Sequence, residues 1–103
     1  MVEPRQGDVW WATLDKRRPV LVVTRDEAAG LLARLVVAPV TRTVRAIPTE
    51  VPLGADEGLP VECAATFDNL QVVLRRDLTE RAGRLGAHGR LRICAALRAL
   101  ADC

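Results

Sequence analysis

Two short basic segments carry the residue types that bind phosphate. They are residues 16–19 (Lys-Arg-Arg-Pro) and residues 41–45 (Thr-Arg-Thr-Val-Arg). An arginine guanidinium presents a planar fork that matches two phosphate oxygens, and a threonine hydroxyl donates a further hydrogen bond. The overall charge is only +2, and fourteen of the fifteen basic residues are arginine, as in the product of a GC-rich genome. The alternative interpretation is that both segments are solvated basic loops and form no phosphate site.

Other kinds of catalytic or binding site find little support in the sequence. It contains no nucleophile elbow, P-loop or dinucleotide fingerprint. Cys63, Cys94 and Cys103 are widely spaced, and His88 is the single histidine, whereas a zinc site needs about four ligands at short paired spacing. We therefore predict no metal and no cofactor, free thiols with Cys63 in the core, and a capping or exposed role for His88.

Short strands must position the two basic segments. Apolar and β-branched runs bounded by Gly, Pro and polar residues predict such strands. The runs are residues 7–14, 19–24, 34–41 and 49–53, one or two strands within 61–74, and 79–85. Few residues separate the first two runs, which predicts an antiparallel hairpin with Arg18 at its mouth. Thr41 ends the third run, so both basic segments are expected at strand ends.

The C-terminal segment has a helical periodicity instead. Ile93, Ala96, Leu97 and Leu100 fall at i, i+3, i+4 and i+7, which predicts an amphipathic helix over residues 90–101. A helical turn or loop is expected over residues 26–33. Several short strands and one terminal helix indicate a mainly β fold of the α+β class, either a small, strongly bent sheet or a partly open barrel.

Length and hydropathy limit the organisation of the chain. The 103 residues are enough for one domain and too few for two, so we expect residues 1–103 to form a single domain. No apolar run approaches the roughly 18 residues of a membrane span, and the first residues lack the apolar core of a signal peptide. We predict a soluble cytoplasmic protein that does not associate with a membrane. Trp10 and Trp11 cannot both face one side of a regular strand, so one is expected in the core and the other in a partner interface, unless a bulge buries both.

An ordered set of motifs resembles the MazF/PemK family of bacterial toxins. Residues 6–11 (QGDVWW) are similar to the family's opening R-G-D-[IV]-[WY]-x, and residues 18–23 (RPVLVV) to R-P-[AV]-[LV]-[VI]-[LV]. Residues 37–41 (VAPVT) are similar to the V-P-[VIC]-T segment. Further similarity lies in residues 50–53 (EVPL), 68–69 (DN, where the family often has DQ), 76–78 (RDL) and 83–86 (GRLG). The resemblance extends over nearly the whole chain.

The resemblance implies both a fold and an activity. The fold is a compact SH3-like β-barrel with helices that forms a homodimer. The activity is that of a metal-independent endoribonuclease, which cleaves single-stranded RNA at short sequences and leaves 2′,3′-cyclic phosphate and 5′-OH ends. RNA supplies its own nucleophile, the 2′-OH, so the enzyme has to orient it, move protons and stabilise the charge of the phosphorane. The resemblance also implies a cognate MazE-like antitoxin whose tail occupies the RNA groove.

The same resemblance assigns roles to individual residues. The family's arginine before the proline corresponds to Arg18, which would stabilise the phosphorane and protonate the leaving 5′-oxygen. Its strand-end threonine corresponds to Thr41, which would hold a phosphoryl oxygen. The acidic residue of the family's longer first loop is missing here. The general base is therefore expected to be Asp68, from the D-Q position, although its companion arginine is Thr66 in this chain, and Asp15 is a second candidate.

RNA contacts are expected around these catalytic residues. The expected RNA-binding residues are Lys16, Arg17, Arg42, Thr43 and Asn69, and the loops at 42–48 and 54–60 are expected to carry sequence specificity. With two tryptophans, one phenylalanine and no tyrosine, phosphate contacts should dominate over base stacking. Two alternatives stay open: a CcdB-like gyrase inhibitor, which needs no phosphate site, and a degenerate homologue that binds antitoxin and nucleic acid without cutting.

Overall fold

A computed structural model describes residues 3–29 and 31–101, which form a curled antiparallel sheet with two helices. The strands are β1 (Asp8–Thr13), β2 (Arg17–Val22), β3 (Arg34–Thr41), β4 (Glu50–Leu53), β5 (Cys63–Thr66), β6 (Gln71–Leu74) and β7 (Leu78–Arg84). The helices are α1 (Asp26–Ala29) and α2 (Gly89–Ala101), and 3-10 turns occupy Ala55–Glu57, Phe67–Asn69 and Arg75–Asp77. The strands expected from the sequence are confirmed, and the undecided segment 61–74 contains two of them.

The sheet bends along β3, because this strand changes partners along its length. The strand order is β4-β5-β3-β2-β1-β7, and β6 also pairs with β3. On one edge, the first half of β3 pairs with β6, up to Val37 opposite Gln71, and its end pairs with β5, where Thr41 lies opposite Ala64. The other edge of β3 pairs with β2. Pro39 lies between the two partners β6 and β5, where a missing N–H interrupts the ladder least.

Side-chain alternation gives this sheet two apolar faces. The first face packs against α2 in a cluster that includes Leu21 of β2, Phe67 of the 3-10 turn and Ile93 of α2, and all three are fully buried. The second face contains Trp10 and the neighbouring apolar residues Ala12, Val20, Val22, Ala29, Leu35, Val37, Val73 and Leu78. The two faces separate the adjacent tryptophans: Trp10 is buried in the second cluster, and Trp11 is half-buried against the first.

Two details of the helices differ from a simple extrapolation of the sequence. The helical turn expected over residues 26–33 is limited to the four residues of α1. In α2, Ile93 and Ala96 are buried, but Leu100 is 39% exposed, so the buried stripe of the helix ends before its last turn. No helix within the described ranges 3–29 and 31–101 is both long and apolar enough to cross a membrane.

Asp8 fixes the start of β1 from inside the protein. Its carboxylate is fully buried, and Oδ2 accepts hydrogen bonds from the backbone N–H of Arg5 (3.0 Å) and from the indole Nε1 of Trp10 (3.3 Å). The Nε of Arg84 on β7 lies 3.6 Å from Oδ1. The Asp and the Trp of the opening motif are therefore tied together, because a buried carboxylate and a buried indole each need a polar partner.

Two glycines allow the ends of the strand order to meet. Gly58 follows the turn after β4, and Gly83 lies in β7. A Cβ atom added to Gly58 would lie 1.9 Å from the carbonyl oxygen of Ala82, and one added to Gly83 would lie 2.3 Å from that of Glu57. Gly58 also has a φ of +83°, in the left-handed region. This backbone contact curls the sheet into a half-barrel.

We expect Gly83→Ala to lower the free energy of unfolding by about 2–3 kcal/mol, because the added methyl group forces two backbone segments apart. Gly86→Ala is the matched control, since a Cβ at that position meets no atom within 4 Å; its effect should stay within about 0.5 kcal/mol. Urea denaturation of the two variants compares them directly. Equal stability of the two variants would contradict the closure of the sheet at Gly83.

Candidate active site

A groove of about 580 Å³ opens where β3 ends. Three chain segments meet there: the mouth of the β1–β2 hairpin, the end of β3, and the segment from β5 to β6. The lining residues are Lys16, Arg18, Pro39, Val40, Thr41, Arg42, Thr66, Asn69 and Gln71. The two basic segments of the sequence thus converge, because β3 lies between β2 and β5 in the sheet.

Strand alternation explains why the polar lining faces one way. The polar lining residues of β2, β3 and β6 belong to strands that also carry residues of the second apolar cluster. On each strand the two kinds of residue are an even number of positions apart, so their side chains share one face. These pairs are Arg18 with Val20, Thr41 with Val37, and Gln71 with Val73. The groove is therefore the polar continuation of the second face of the sheet.

Thr41 is held with its hydroxyl proton available. Its side chain is half-buried, and its Oγ1 accepts a hydrogen bond from the backbone N–H of Thr43 at 3.1 Å. Because Oγ1 already has this donor, its own O–H can donate to a ligand in the groove. Thr43 is exposed and supports Thr41 through its main chain, and its side chain is not part of the groove lining.

Arg18 combines a rigid base with an open guanidinium group. Its backbone pairs with that of Ala12, which is fully buried, whereas its side chain is about half exposed. The Nε atom lies 3.9 Å from Oδ1 of Asp15, and that oxygen also accepts the backbone N–H of Lys16 at 3.0 Å. Asp15 thus lies beside the Nε edge of Arg18, and the two terminal nitrogens are left for an anion.

The structure places Asp68 beside the groove rather than in its lining. Asp68 is exposed in the 3-10 turn Phe67–Asn69, and its Oδ2 accepts a hydrogen bond from the hydroxyl of Thr49 at 2.8 Å. Its neighbour Asn69 lines the groove. The amide of the D-Q position is therefore at the site, and the carboxylate lies one residue away, held by Thr49 directly after the 42–48 loop.

The structure contradicts the expectation that Arg17 contacts RNA in the groove. Neighbouring residues of an extended strand point to opposite faces, so Arg17 points away from the groove that Arg18 enters. Its guanidinium carbon lies 4.5 Å from the centre of the Trp11 ring, and its Nη2 lies 2.8 Å from Oε2 of Glu80. Arg17 therefore does not line the groove.

Thr66 and Gln71 line the groove but are absent from the residues expected from the sequence to contact RNA. Their positions depend on where β5 ends and β6 begins, and the apolar pattern of residues 61–74 left both boundaries open. Once β6 is placed opposite β3, the alternation from Val73 directs Gln71 to the groove.

The thiols behave as structural or exposed groups. Burial raises the pKa of the Cys63 thiol above its ordinary value of 9.0, the nearby Glu57 raises it further, and Arg42 opposes the shift. Cys63 is therefore a protonated core residue rather than a nucleophile, as expected. Cys94 is exposed, and Cys103 lies outside the described residues. Within ranges 3–29 and 31–101, no group of three or more His, Cys, Asp or Glu side chains is placed to hold a metal ion.

Comparison with protein families shows to which family the chain belongs. The model of the "PemK-like, MazF-like toxin of type II toxin-antitoxin system" family matches residues 5–101. The chain belongs to this toxin family. The match covers the groove, both basic segments and the helix α2, so the resemblance seen in the sequence motifs is confirmed.

Known relatives of this family member agree in sequence and in fold. The "Probable endoribonuclease MazF5" of Mycobacterium tuberculosis is 39% identical over 97% of this chain and 94% of the relative. The solved structure of "Mycobacterium tuberculosis toxin MazF-mt6" is 36% identical, with a TM-score of 0.83 over 90% of this chain and 94% of the other. An "Endoribonuclease in complex with its cognate antitoxin from Mycobacterial species" is 26% identical, with a TM-score of 0.81 over 94% and 93% of the two chains. These similarities confirm the expected small, bent barrel with a C-terminal helix.

In this family member, a buried carboxylate holds the loop that follows Thr41. Glu50 is 9% exposed, and its Oε1 accepts the backbone N–H groups of Arg45 (2.9 Å) and Ala46 (3.1 Å). Ala46 has a φ of 54°, a conformation that costs a residue with a side chain about 1 kcal/mol. Hydrogen bonds to a charged acceptor offset this cost, so Glu50 fixes the shape of the loop at one wall of the groove.

We expect Glu50→Ala to free this loop, because two backbone donors lose their acceptor at a cost of about 2–3 kcal/mol. Amide hydrogen exchange of Arg45 and Ala46 should accelerate by at least about tenfold, whereas Glu50→Gln retains an acceptor oxygen and much of the protection. Glu62→Ala, at an exposed position, is the control. Unchanged exchange at both amides in Glu50→Ala would disprove this role of Glu50.

Proposed function

We propose that this protein is a type II toxin that cleaves single-stranded RNA as a sequence-specific, metal-independent endoribonuclease. The observation that carries the proposal is the convergence of Arg18 and Thr41 in one groove on the second face of the sheet. Family membership and a relative named as an endoribonuclease support the activity. The same points argue against a gyrase inhibitor, which needs no phosphate site.

The groove suits a phosphodiester that approaches its own 2′-OH. The guanidinium group of Arg18 and the hydroxyl of Thr41 would bind the non-bridging oxygens and stabilise the extra charge of the phosphorane. Attack by the 2′-OH closes a 2′,3′-cyclic phosphate and breaks the bond to the leaving 5′-oxygen. Arg18 would donate the proton that the leaving oxygen needs, which gives a 5′-OH end. No metal or cofactor enters this sequence of steps.

We assign the general base to Asp68 in preference to Asp15. The hydroxyl of Thr49 occupies Oδ2 of Asp68, so Oδ1 can accept the proton of the 2′-OH. Asp15 is already paired with Arg18 and with the backbone of Lys16. Asp15 would therefore hold the guanidinium group of Arg18 in place.

The remaining residues that line the groove would contact either the phosphates or the bases of the RNA. Lys16 and Arg42 would bind the phosphates on either side of the cleaved bond. Asn69 would read base edges as an amide donor and acceptor, and we add Thr66 and Gln71 from the structure to the same group. Thr43 would contribute from the loop rather than from the groove.

The biological setting follows from the family and the relatives. We propose that residues 1–103 act as a single domain, as a homodimer in the cytoplasm, and that a cognate MazE-like antitoxin neutralises the toxin by covering the RNA groove. The solved relative that is described in complex with its cognate antitoxin supports this partner.

The first test replaces the two residues that would bind the scissile phosphate. We expect Arg18→Ala and Thr41→Ala each to reduce cleavage of a long single-stranded RNA in EDTA by at least about 100-fold, the range seen when a donor to the developing charge is lost. Arg17→Ala is the matched control, because it removes an adjacent arginine outside the groove. Full activity of Arg18→Ala and Thr41→Ala would overturn the assignment, and inactivity of the wild type would favour the degenerate alternative.

The second test separates the two carboxylates. Asp68→Asn should lower the single-turnover rate constant of cleavage by at least about 100-fold, because an amide cannot take a proton, whereas Asp15→Asn should lower it less than about tenfold through a less ordered Arg18. Single-turnover cleavage of a defined oligoribonucleotide measures both. A larger loss in Asp15→Asn than in Asp68→Asn would exchange the two roles.

A further inference from the structure

The short turn that carries Asp68 is attached to Thr49 by two hydrogen bonds. The backbone N–H of Phe67 donates to the carbonyl oxygen of Thr49 at 2.9 Å, and the hydroxyl of Thr49 donates to Oδ2 of Asp68 at 2.8 Å. Two consecutive residues of the 3-10 turn Phe67–Asn69 are therefore bound to the main chain and to the side chain of one threonine. The first bond fixes the backbone of the turn, and the second fixes the carboxylate.

Thr49 is itself held in place by the chain around it. It is half-buried and directly precedes β4, whose first residue, Glu50, pairs with Thr66 of β5. The backbone N–H of Glu50 donates to the carbonyl oxygen of Ile47 at 3.0 Å, which closes a turn in which Thr49 is the third residue. Because threonine is branched at Cβ, its χ1 angle is restricted. The hydroxyl of Thr49 therefore reaches Asp68 from a fixed backbone.

Asp68 has little restraint apart from this hydroxyl. It is exposed, and no ion pair within residues 3–29 and 31–101 involves it. An exposed aspartate without a partner exchanges between several side-chain rotamers. A general base has to lie within about 2.6–3.2 Å of the group whose proton it takes. A freely rotating carboxylate would therefore spend little time within reach of a bound 2′-OH.

We propose that Thr49 is a positioning residue for the general base Asp68. The inference rests on the proposed function, in which Oδ1 of Asp68 takes the proton of the 2′-OH. The hydroxyl of Thr49 holds Oδ2 before and during this transfer, and it keeps its own proton throughout. Thr49 does not line the groove, so it acts on the reaction through the carboxylate and not through the RNA.

The two contacts of Thr49 allow this role to be separated from a purely structural one. Thr49→Val nearly retains the shape of the side chain and keeps the carbonyl oxygen that accepts from Phe67, so it removes only the hydroxyl. The side chain of Phe67 is fully buried and anchors the turn as well. Asn69 should therefore stay in the groove lining, and loss of the hydroxyl should slow the chemical step without weakening RNA binding.

The test compares Thr49→Val with Thr49→Ser in single-turnover cleavage of a defined oligoribonucleotide. Thr49→Val should lower the rate constant by at least about tenfold, because the carboxylate leaves its productive position for much of the time. The RNA concentration that gives the half-maximal rate should stay within about twofold of wild type. Thr49→Ser retains the hydroxyl, and its rate constant should stay within about threefold of wild type.

Thr24→Val is the matched control for the loss of a threonine hydroxyl. Thr24 follows β2 at the end far from Arg18, and its Oγ1 accepts the backbone N–H of Val36 at 2.8 Å. This variant removes a hydrogen bond of the same length outside the site, so its rate constant should stay within about twofold of wild type. A loss in Thr24→Val equal to that in Thr49→Val would overturn the positioning role.

A double-mutant cycle shows whether Thr49 acts through Asp68. In the Asp68→Asn background, Thr49→Val should change the rate constant by less than about twofold, because the base that Thr49 positions is already absent. An undiminished effect in that background would overturn the proposal. So would equal rates of wild type and Thr49→Val, or equal losses in Thr49→Val and Thr49→Ser.

An NMR measurement on the free protein gives a readout that needs no RNA. The couplings between Hα and Hβ of Asp68 should show one dominant χ1 rotamer in the wild type and in Thr49→Ser, and averaging over rotamers in Thr49→Val. Averaging in the wild type would overturn the positioning role, even where Thr49→Val fails to melt cooperatively. If the wild type cleaves RNA, these failures overturn the inference alone; a wild type that cleaves no RNA overturns the proposed function, and the inference with it.

Discussion

The contact between Gly58 and Gly83 is the constraint on which the rest of the structure depends. A sheet with the order β4-β5-β3-β2-β1-β7 has two free ends, and this backbone contact brings them together. The resulting curvature is concentrated in β3, which leaves β6 and takes β5 as its partner. Because of that change, the residues before and after the 3-10 turn at 67–69 lie beside the end of β3.

Side-chain alternation divides the apolar residues of the curled sheet between two faces with different roles. The first face is closed by α2 and stabilises the fold. The second has apolar residues in its middle and polar or charged residues at both ends, since α1 covers only a part of it. The groove with Arg18 and Thr41 lies at one end, and a depression of about 1050 Å³ lined in part by Arg34, Arg76 and Arg81 lies at the other.

Buried acids support the site without taking part in its chemistry. Asp8 ties β1 to β7 through the side chain of Arg84, and Glu50 fixes the loop after Thr41 through two backbone N–H groups. In both cases one carboxylate oxygen accepts two hydrogen bonds, which offsets part of the cost of burying its charge. Oδ1 of Asp8 has no hydrogen-bond donor among the described residues and has only the ion pair with Arg84. The acids expected to act on substrate, in contrast, are exposed, and this allows them to exchange protons with water and ligand.

The sequence by itself determined the fold class, the main strands, the terminal helix and the family, because these follow from local hydrophobic periodicity and from ordered motifs. It also indicated Arg18 and Thr41 as a pair, since both lie at strand ends beside recognisable motifs. Only the tertiary structure decided that Arg17 points away from the groove and that Gln71 enters it. These outcomes depend on strand register and on the curl of the sheet, and a shift of one residue reverses the face to which every side chain points.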